Sequence, residues 1–192
     1  MARFYAPETG GVVHPRFVLE RELAFEARLE ALSDGQASDA YLDRHMRAAL
    51  ERHIAEELLA HLAIEPEPTD KELAARAIAT RAVLEQRVGG EAALAEAARA
   101  EGLDGSELDT FIQRETRASF YLDRMVTPML EPSEAELREV HRSTSHPFRG
   151  QTFEQAAVPL RAWYVAERLS SALGAFYQNA RNRVHVVLLA QK

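Results

Sequence analysis

Near its C-terminal end the chain carries a short apolar segment at residues 184–189, Val-His-Val-Val-Leu-Leu, that is rich in β-branched residues. Such a composition predicts a β-strand. A lone strand cannot satisfy its backbone hydrogen-bonding groups, so this segment needs a partner strand. The only candidates are Arg3-Phe4-Tyr5 and Val12-Val13, which lie near the N-terminus. The two ends of the chain are therefore expected to meet, and this constrains every element between them.

The rest of the chain has the 3.6-residue apolar period of amphipathic helices. Capping boxes, in which a serine or threonine precedes a Glu or Gln by three residues, mark helix starts at Thr69, Ser133 and Thr152. The predicted fold is an all-α, mainly helical bundle with a small β-pairing between the terminal segments. The predicted helices cover 17–32, the stretch from an N-cap at Ser38 or Asp39 to just before Pro66, 70–88, 91–101, 106 to the Thr127-Pro128 pair, 134–142, and 153 onward.

Composition narrows the classes of function. The 192 residues carry a formal net charge of −7, which disfavours nucleic acid as a partner. The chain has no cysteine, so disulfides, thiolate metal sites and cysteine nucleophiles are excluded. No segment approaches the roughly 20 apolar residues that span a bilayer, so stable membrane insertion is not expected.

Two groups of polar residues are candidates for a functional site. His53, Glu57 and His61 recur every four residues on one side of the second helix, which is compatible with a metal site. Their spacing is not that of zinc peptidases or di-iron bundles, so a solvated helix face is favoured. His141 and His146 flank three hydroxyl residues, but no orienting group or oxyanion-hole motif accompanies them, and a polar loop is favoured over a catalytic site.

Six apolar or aromatic residues are the candidates for a binding surface. Taken singly, each is more readily interpreted as a core residue. Taken together, flexible thioethers and aromatic rings beside a loop favour an adaptable peptide-binding surface. The candidates are Phe148, Trp163, Tyr164, Met125, Met129 and Leu130.

Several stretches, in this order, resemble the SurA-like family of periplasmic chaperones and parvulin-type prolyl isomerases. Residues 47–59 are similar to that family's second helix, and Thr69-Asp70-Lys71-Glu72-Leu73 to the start of its next helix. Residues 102–115 and 131–137 are similar to the following helix and to the entry to the isomerase domain. Residues 152–187 are similar to the family's C-terminal helix and closing strand.

The chain departs from the family where the parvulin domain is inserted. Only residues 143–151 occupy that place, and nine residues cannot form a domain. The resemblance therefore implies a single SurA N-domain-like chaperone core over residues 1–192. Its N-terminal helical part is 17–142, a loop at 143–151 replaces the parvulin domain, and 152–192 supply the helix and strand that complete the core.

The function implied is that of an ATP-independent holdase without cofactors, metal or isomerase activity. Its partners would be unfolded or extended apolar segments of envelope proteins, notably outer-membrane ones, and it would act as a monomer or a homodimer. A periplasmic location follows from the resemblance alone, because residues 1–7 lack the apolar region of a signal peptide. The alternative is a dedicated adaptor or assembly factor that uses the same helical core for one partner; a residual isomerase has no residues to assign.

Overall fold

The computed structural model describes residues 2–36, 40–143 and 145–188. Over these residues the protein is mainly helical with one small antiparallel sheet, which confirms the predicted fold class. The helices are α1 (Glu20–Ser33), α2 (Asp43–Ala60), α3 (Asp70–Val88), α4 (Glu91–Ala100), α5 (Gly105–Tyr121), α6 (Thr127–Leu130), α7 (Glu134–Arg142) and α8 (Phe153–Arg183).

The sheet joins the two ends of the chain, as the sequence predicts. Its strands are β1 (Ala2–Tyr5), β2 (Arg16–Val18) and β3 (His185–Leu188), in the order β2-β1-β3. Both pairings are antiparallel, and Phe4 lies opposite Val186. Of the two candidate partners, Arg3-Phe4-Tyr5 forms the strand, whereas Val12-Val13 lies in a short 3₁₀ helix, Gly11–Val13. Leu189, the last residue of the predicted strand, lies outside the described residues.

The sequence interpretation was wrong at the start of the first two helices. Phe17 and Val18 belong to β2, because Val18 pairs with Ala2 in the sheet, and α1 begins only at Glu20. The second helix begins at Asp43; Leu42, expected on its buried stripe, is the N-cap residue and is exposed. Ser38 and Asp39, the expected N-caps, lie outside the described residues.

The predicted end of the fifth helix at Thr127-Pro128 was also wrong. A π-helical turn at Leu122–Val126 carries the helix directly into α6. In this turn the Thr127 N–H donates to the Leu122 carbonyl, five residues back rather than four. The widened turn accommodates Pro128, which has no N–H to donate and would clash with a regular preceding turn. The chain therefore continues past Pro128, and Met129 is carried on α6.

The buried apolar side chains form three clusters. The helical core joins α1, α3, α4 and α5 around Phe25 and Phe111. The terminal core packs the inner face of the sheet on α2, with Phe4, Val18, Ile54 and Leu58 buried and Phe176 of α8 beside them. The arm cluster consists of Leu137, Ala156 and Leu160, with Val140, Phe148, Phe153, Ala157 and Trp163 packed around it. The 31-residue α8 reaches from the arm cluster to the terminal core.

Removing everything after Gly150 tests whether the terminal segments complete the fold. That truncation deletes α8 and β3, so it removes the strand paired with β1 and exposes apolar surface on Phe4, Ile54 and Leu137. We expect the truncated chain to lose cooperative thermal unfolding, measured by circular dichroism. A cooperative transition at the midpoint of the full chain would contradict this closed core.

Candidate functional site

The six predicted binding residues lie in or next to the arm, which we define as α6, α7 and the part of α8 that packs on the arm cluster. Phe148 and Trp163 are half-buried against the arm cluster, so they are partly structural. Tyr164 is half-buried, with the Arg168 guanidinium 5.5 Å from the centre of its ring. Met125 and Leu130 are half-buried as well, whereas Met129 is 71% exposed. Among the six, Met129 is the residue that offers most of its side chain to a partner.

These six residues do not converge on one cavity. The pocket at the arm has a volume of about 270 Å³ and lies between α7 and α8. It is lined by Glu134, Leu137, Phe153, Ala157, Val158 and Arg161. Arg161 also ties α8 to the segment before α7, because it donates to the Glu131 carboxylate at 3.1 Å and to the Pro132 carbonyl at 3.0 Å.

Two histidines hold the loop between α7 and α8 together: His141 in the last turn of α7 and His146 in the loop itself. His146 lies in the predicted polar loop, but its side chain is buried. Its Nδ1 accepts from the Phe148 N–H at 3.1 Å, so its Nε2 carries the proton and donates to the His141 carbonyl at 3.0 Å. The His141 and His146 rings stack with their centres 5.4 Å apart. Both rings therefore have structural partners in the described part of the loop.

The assignment of His53 to a solvated face was wrong. His53 is buried, and its Nδ1 lies 2.7 Å from Oε1 of Glu26 on α1. His61 points to the surface, where its Nδ1 lies 2.7 Å from the Glu57 carbonyl. No group of three potential metal ligands occurs within residues 2–36, 40–143 and 145–188. The three residues thus share a helix but not one environment.

His53 belongs to a buried charge network, which also contains Glu26, Glu56 and Arg114. Arg114 of α5 donates to Glu26, and its Nε lies 3.7 Å from Oε2 of Glu56. Glu26 is 2% and Glu56 9% exposed, so both carboxyl groups have lost most of their water. One oxygen of each, Oε2, has no hydrogen-bond partner among the described residues. The network is therefore only partly satisfied.

Burial and the carboxylate of Glu26 raise the pKa of Glu56 to about 8, against the opposing effect of Arg114. Burial also raises the pKa of Glu115, on the same helix as Arg114. At neutral pH Glu56 is therefore mainly a neutral acid. That state removes one negative charge from a region where Arg114 alone cannot compensate two carboxylates.

An apolar groove lies between α2, the C-terminal part of α8 and β3. It has a volume of about 240 Å³. Its lining consists of the apolar residues Leu50, Ile54 and Ala55 of α2, Tyr177 and Gln178 of α8, Val184 and Val186, and the charged residues Arg47 and Glu51 of α2. A neighbouring pocket of about 380 Å³ shares Glu51 and Tyr177 with the groove and leads to Glu56.

Sequence reasoning missed this groove. Leu50 and Ile54 lie on the predicted apolar stripe of α2, but the stripe gives no indication that one part of it remains uncovered. The C-terminal strand was the signal that could have indicated the groove, because a strand added to a small sheet can itself become the edge strand of that sheet.

Among the described residues, no helix is both long enough and apolar enough to cross a membrane. Comparisons of the chain with protein-family models, curated proteins and solved structures find no match.

The charge network predicts a specific pH dependence of stability. The pKa of Glu56 is about 8 in the folded protein and 4.5 ordinarily, so between these values the folded state holds a proton that the unfolded state has lost. Stability should fall as pH rises through this window, by up to about 1.4 kcal/mol per pH unit for one full proton. Glu56→Gln keeps the shape of the neutral acid, and should therefore flatten this slope and be more stable than wild type at pH 8.

Urea unfolding at several pH values measures this effect. The groups that face Glu56 stay in place in this variant: Glu26 on α1, Arg52 on α2, Arg114 and Glu115 on α5, and Tyr177 on α8. Glu139→Gln on α7, where the side chain is 72% exposed, is the matched control and should retain the wild-type slope. Equal slopes for wild type and Glu56→Gln would contradict the raised pKa.

Proposed function

We propose that this protein is an ATP-independent chaperone that holds unfolded or extended apolar segments of envelope proteins in the periplasm, without prolyl isomerase activity. The observation that carries the proposal is the open groove beside β3. Its lining combines mostly buried apolar side chains of α2 with the Tyr177 ring of α8 and with Val186 of β3, which is 37% exposed, in a protein with a formal net charge of −7. Exposed apolar surface flanked by polar residues is typical of interaction sites.

The size of the groove suits reversible binding. The groove is lined by nine residues, and each 100 Å² of apolar surface buried there contributes about 2.5 kcal/mol. Association costs of at least about 4 kcal/mol offset most of that contribution, so the groove alone binds a client weakly. Such weak binding releases a client without nucleotide hydrolysis.

The arm supplies a second contact surface in this proposal. Met129 and Val158 are 71% and 80% exposed, and a methionine side chain adapts to partners of different shape. The resemblance to the SurA-like family supports the same function. The short loop between α7 and α8, held by His141 and His146, supports the absence of an isomerase domain at this point of the chain.

Client holding is tested by aggregation of an unfolded protein. Reduced, unfolded α-lactalbumin should scatter less light when the protein is added without ATP, because exposed apolar segments are shielded, and the effect should grow with the molar ratio. Serum albumin is the control for nonspecific protein. Undiminished scattering at a several-fold molar excess would contradict the chaperone proposal and favour an adaptor with one tight partner.

The contribution of the arm to binding is tested at Met129, whose exposed side chain is not needed for stability. Met129→Ser should weaken binding of fluorescein-labelled unfolded α-lactalbumin several-fold, read by anisotropy, while the melting temperature stays unchanged because Met129 is exposed. Val83→Ser on α3, where the residue is 66% exposed, is the matched control. Phe148→Ala should weaken binding too, but should also cost about 1–3 kcal/mol of stability because Phe148 packs on the arm cluster. Unchanged affinity of Met129→Ser would remove the arm from the binding surface.

A further inference from the structure

The inner face of the sheet is covered unevenly. On this face Val18 of β2 and Phe4 of β1 are each 1% exposed, whereas Val186 of β3, directly opposite Phe4, is 37% exposed. All three side chains point to the same helical layer, because the registers Ala2↔Val18 and Phe4↔Val186 place them on one face. This face of the sheet is therefore completely covered at β2 and β1 but only partly covered at β3.

The helical layer extends further than the sheet at this point. Leu50 and Ile54 of α2 lie in the groove with Val184 and Val186, and Ile54 also belongs to the terminal core. The groove thus continues the interface between α2 and the sheet, and no strand within residues 2–36, 40–143 and 145–188 covers it. The next strand of a sheet would lie about 4.8 Å beyond β3, over these side chains.

The outer edge of β3 provides the hydrogen-bonding groups for such a strand. Among the described residues, β3 pairs only with β1 and stands at the edge of the sheet. The opposite edge differs, because Arg16 of β2 bonds His61 and lies 3.7 Å from Glu57, and these contacts tie that edge to α2. Among the described residues, the edge at β3 is the one that lies beside the apolar groove.

We propose that the groove binds an extended polypeptide segment as an added fourth strand, paired with the outer edge of β3. This inference rests on the proposed chaperone function and specifies how a client is held. Backbone hydrogen bonds are independent of sequence, so they suit a protein that accepts many clients.

The geometry also selects the kind of segment. Side chains that alternate on an added strand enter two environments: one set enters the groove over Leu50 and Ile54, and the other lies on the outer face beside the exposed His185 and the half-buried Val187. The preferred occupant therefore alternates apolar and polar residues. A contiguous apolar run would direct half of its apolar side chains to the outer face.

A synthetic peptide tests the backbone pairing directly. The probe is fluorescein-labelled Lys-Thr-Val-Thr-Val-Thr-Val-Lys, with binding to the full chain read by anisotropy. Two derivatives carry N-methyl groups on the valines or on the threonines, so that each loses the N–H donors of one edge. One derivative should bind about ten-fold more weakly and the other about as well as the parent, since only one edge faces β3. Equal affinity of the two derivatives overturns the inference.

Two further comparisons separate pairing from simple apolar contact. A peptide of the same composition with its valines contiguous should bind several-fold more weakly; equal binding overturns the alternation. Val186→Lys should weaken binding about ten-fold, because lysine on an edge strand opposes strand addition. The matched control, Val83→Lys on α3, should not change it. If Val186→Lys does not fold, the two N-methylated peptides still decide.

The outcome is distinguishable from failure of the proposed function. If the protein suppresses aggregation but shows no N-methyl discrimination, clients bind elsewhere and only the strand addition is overturned. If sedimentation shows a dimer that Val186→Lys dissociates, a second copy occupies the edge, which also overturns the inference. If neither peptide binding nor suppression of aggregation occurs, the chaperone proposal fails as well.

Discussion

The pairing of β1 with β3 is the interaction on which the rest of the structure depends. It joins residues near the two ends of the chain, and closing a flexible loop of that length costs about 5 kcal/mol in entropy. A ladder of four residue pairs does not offset this cost alone. The offset comes from packing, because Phe4 and Phe176 meet in the terminal core and place α8 against α2. The sheet and the long helix therefore stabilise each other.

The charge network contributes in a different way. Burying its charged groups costs stability, while its contacts fix the arrangement of α1, α2 and α5. Arg114 of α5 reaches Glu26 of α1 and Glu56 of α2, so one guanidinium orients three helices. Removing one partner of such a buried set leaves an uncompensated charge, typically at a cost of 3–5 kcal/mol. A neutral Glu56 reduces this burden at physiological pH. We expect the network to favour one packing of α1, α2 and α5 over alternatives that apolar contacts alone would also allow.

Local signals were predictable from the sequence, whereas signals that depend on distant partners were not. Thr69, Ser133 and Thr152 cap their helices as expected, because a capping box involves only four consecutive residues. Phe17 and Val18 fit a helical pattern locally, because their strand forms only opposite Arg3 and Ala2. His53 appeared solvated because its partner, Glu26, is 27 residues away. The π-helical turn before Pro128 likewise forms only where α5 continues, whereas a proline taken by itself predicts the end of a helix.

The candidate site, too, was only partly predictable from the sequence. The predicted surface was chosen for residue type, and it identified Met129, which is exposed, together with Phe148 and Trp163, which are partly buried in the arm cluster. The groove arises instead from a mismatch in extent, because α2 presents apolar residues over a greater width than three strands cover. No single residue encodes that mismatch; Leu50 and Ile54 would have the same pattern under a four-stranded sheet. Such a surface is recognised by comparing the width of the sheet with the width of the helical layer, and this comparison requires the positions of both layers.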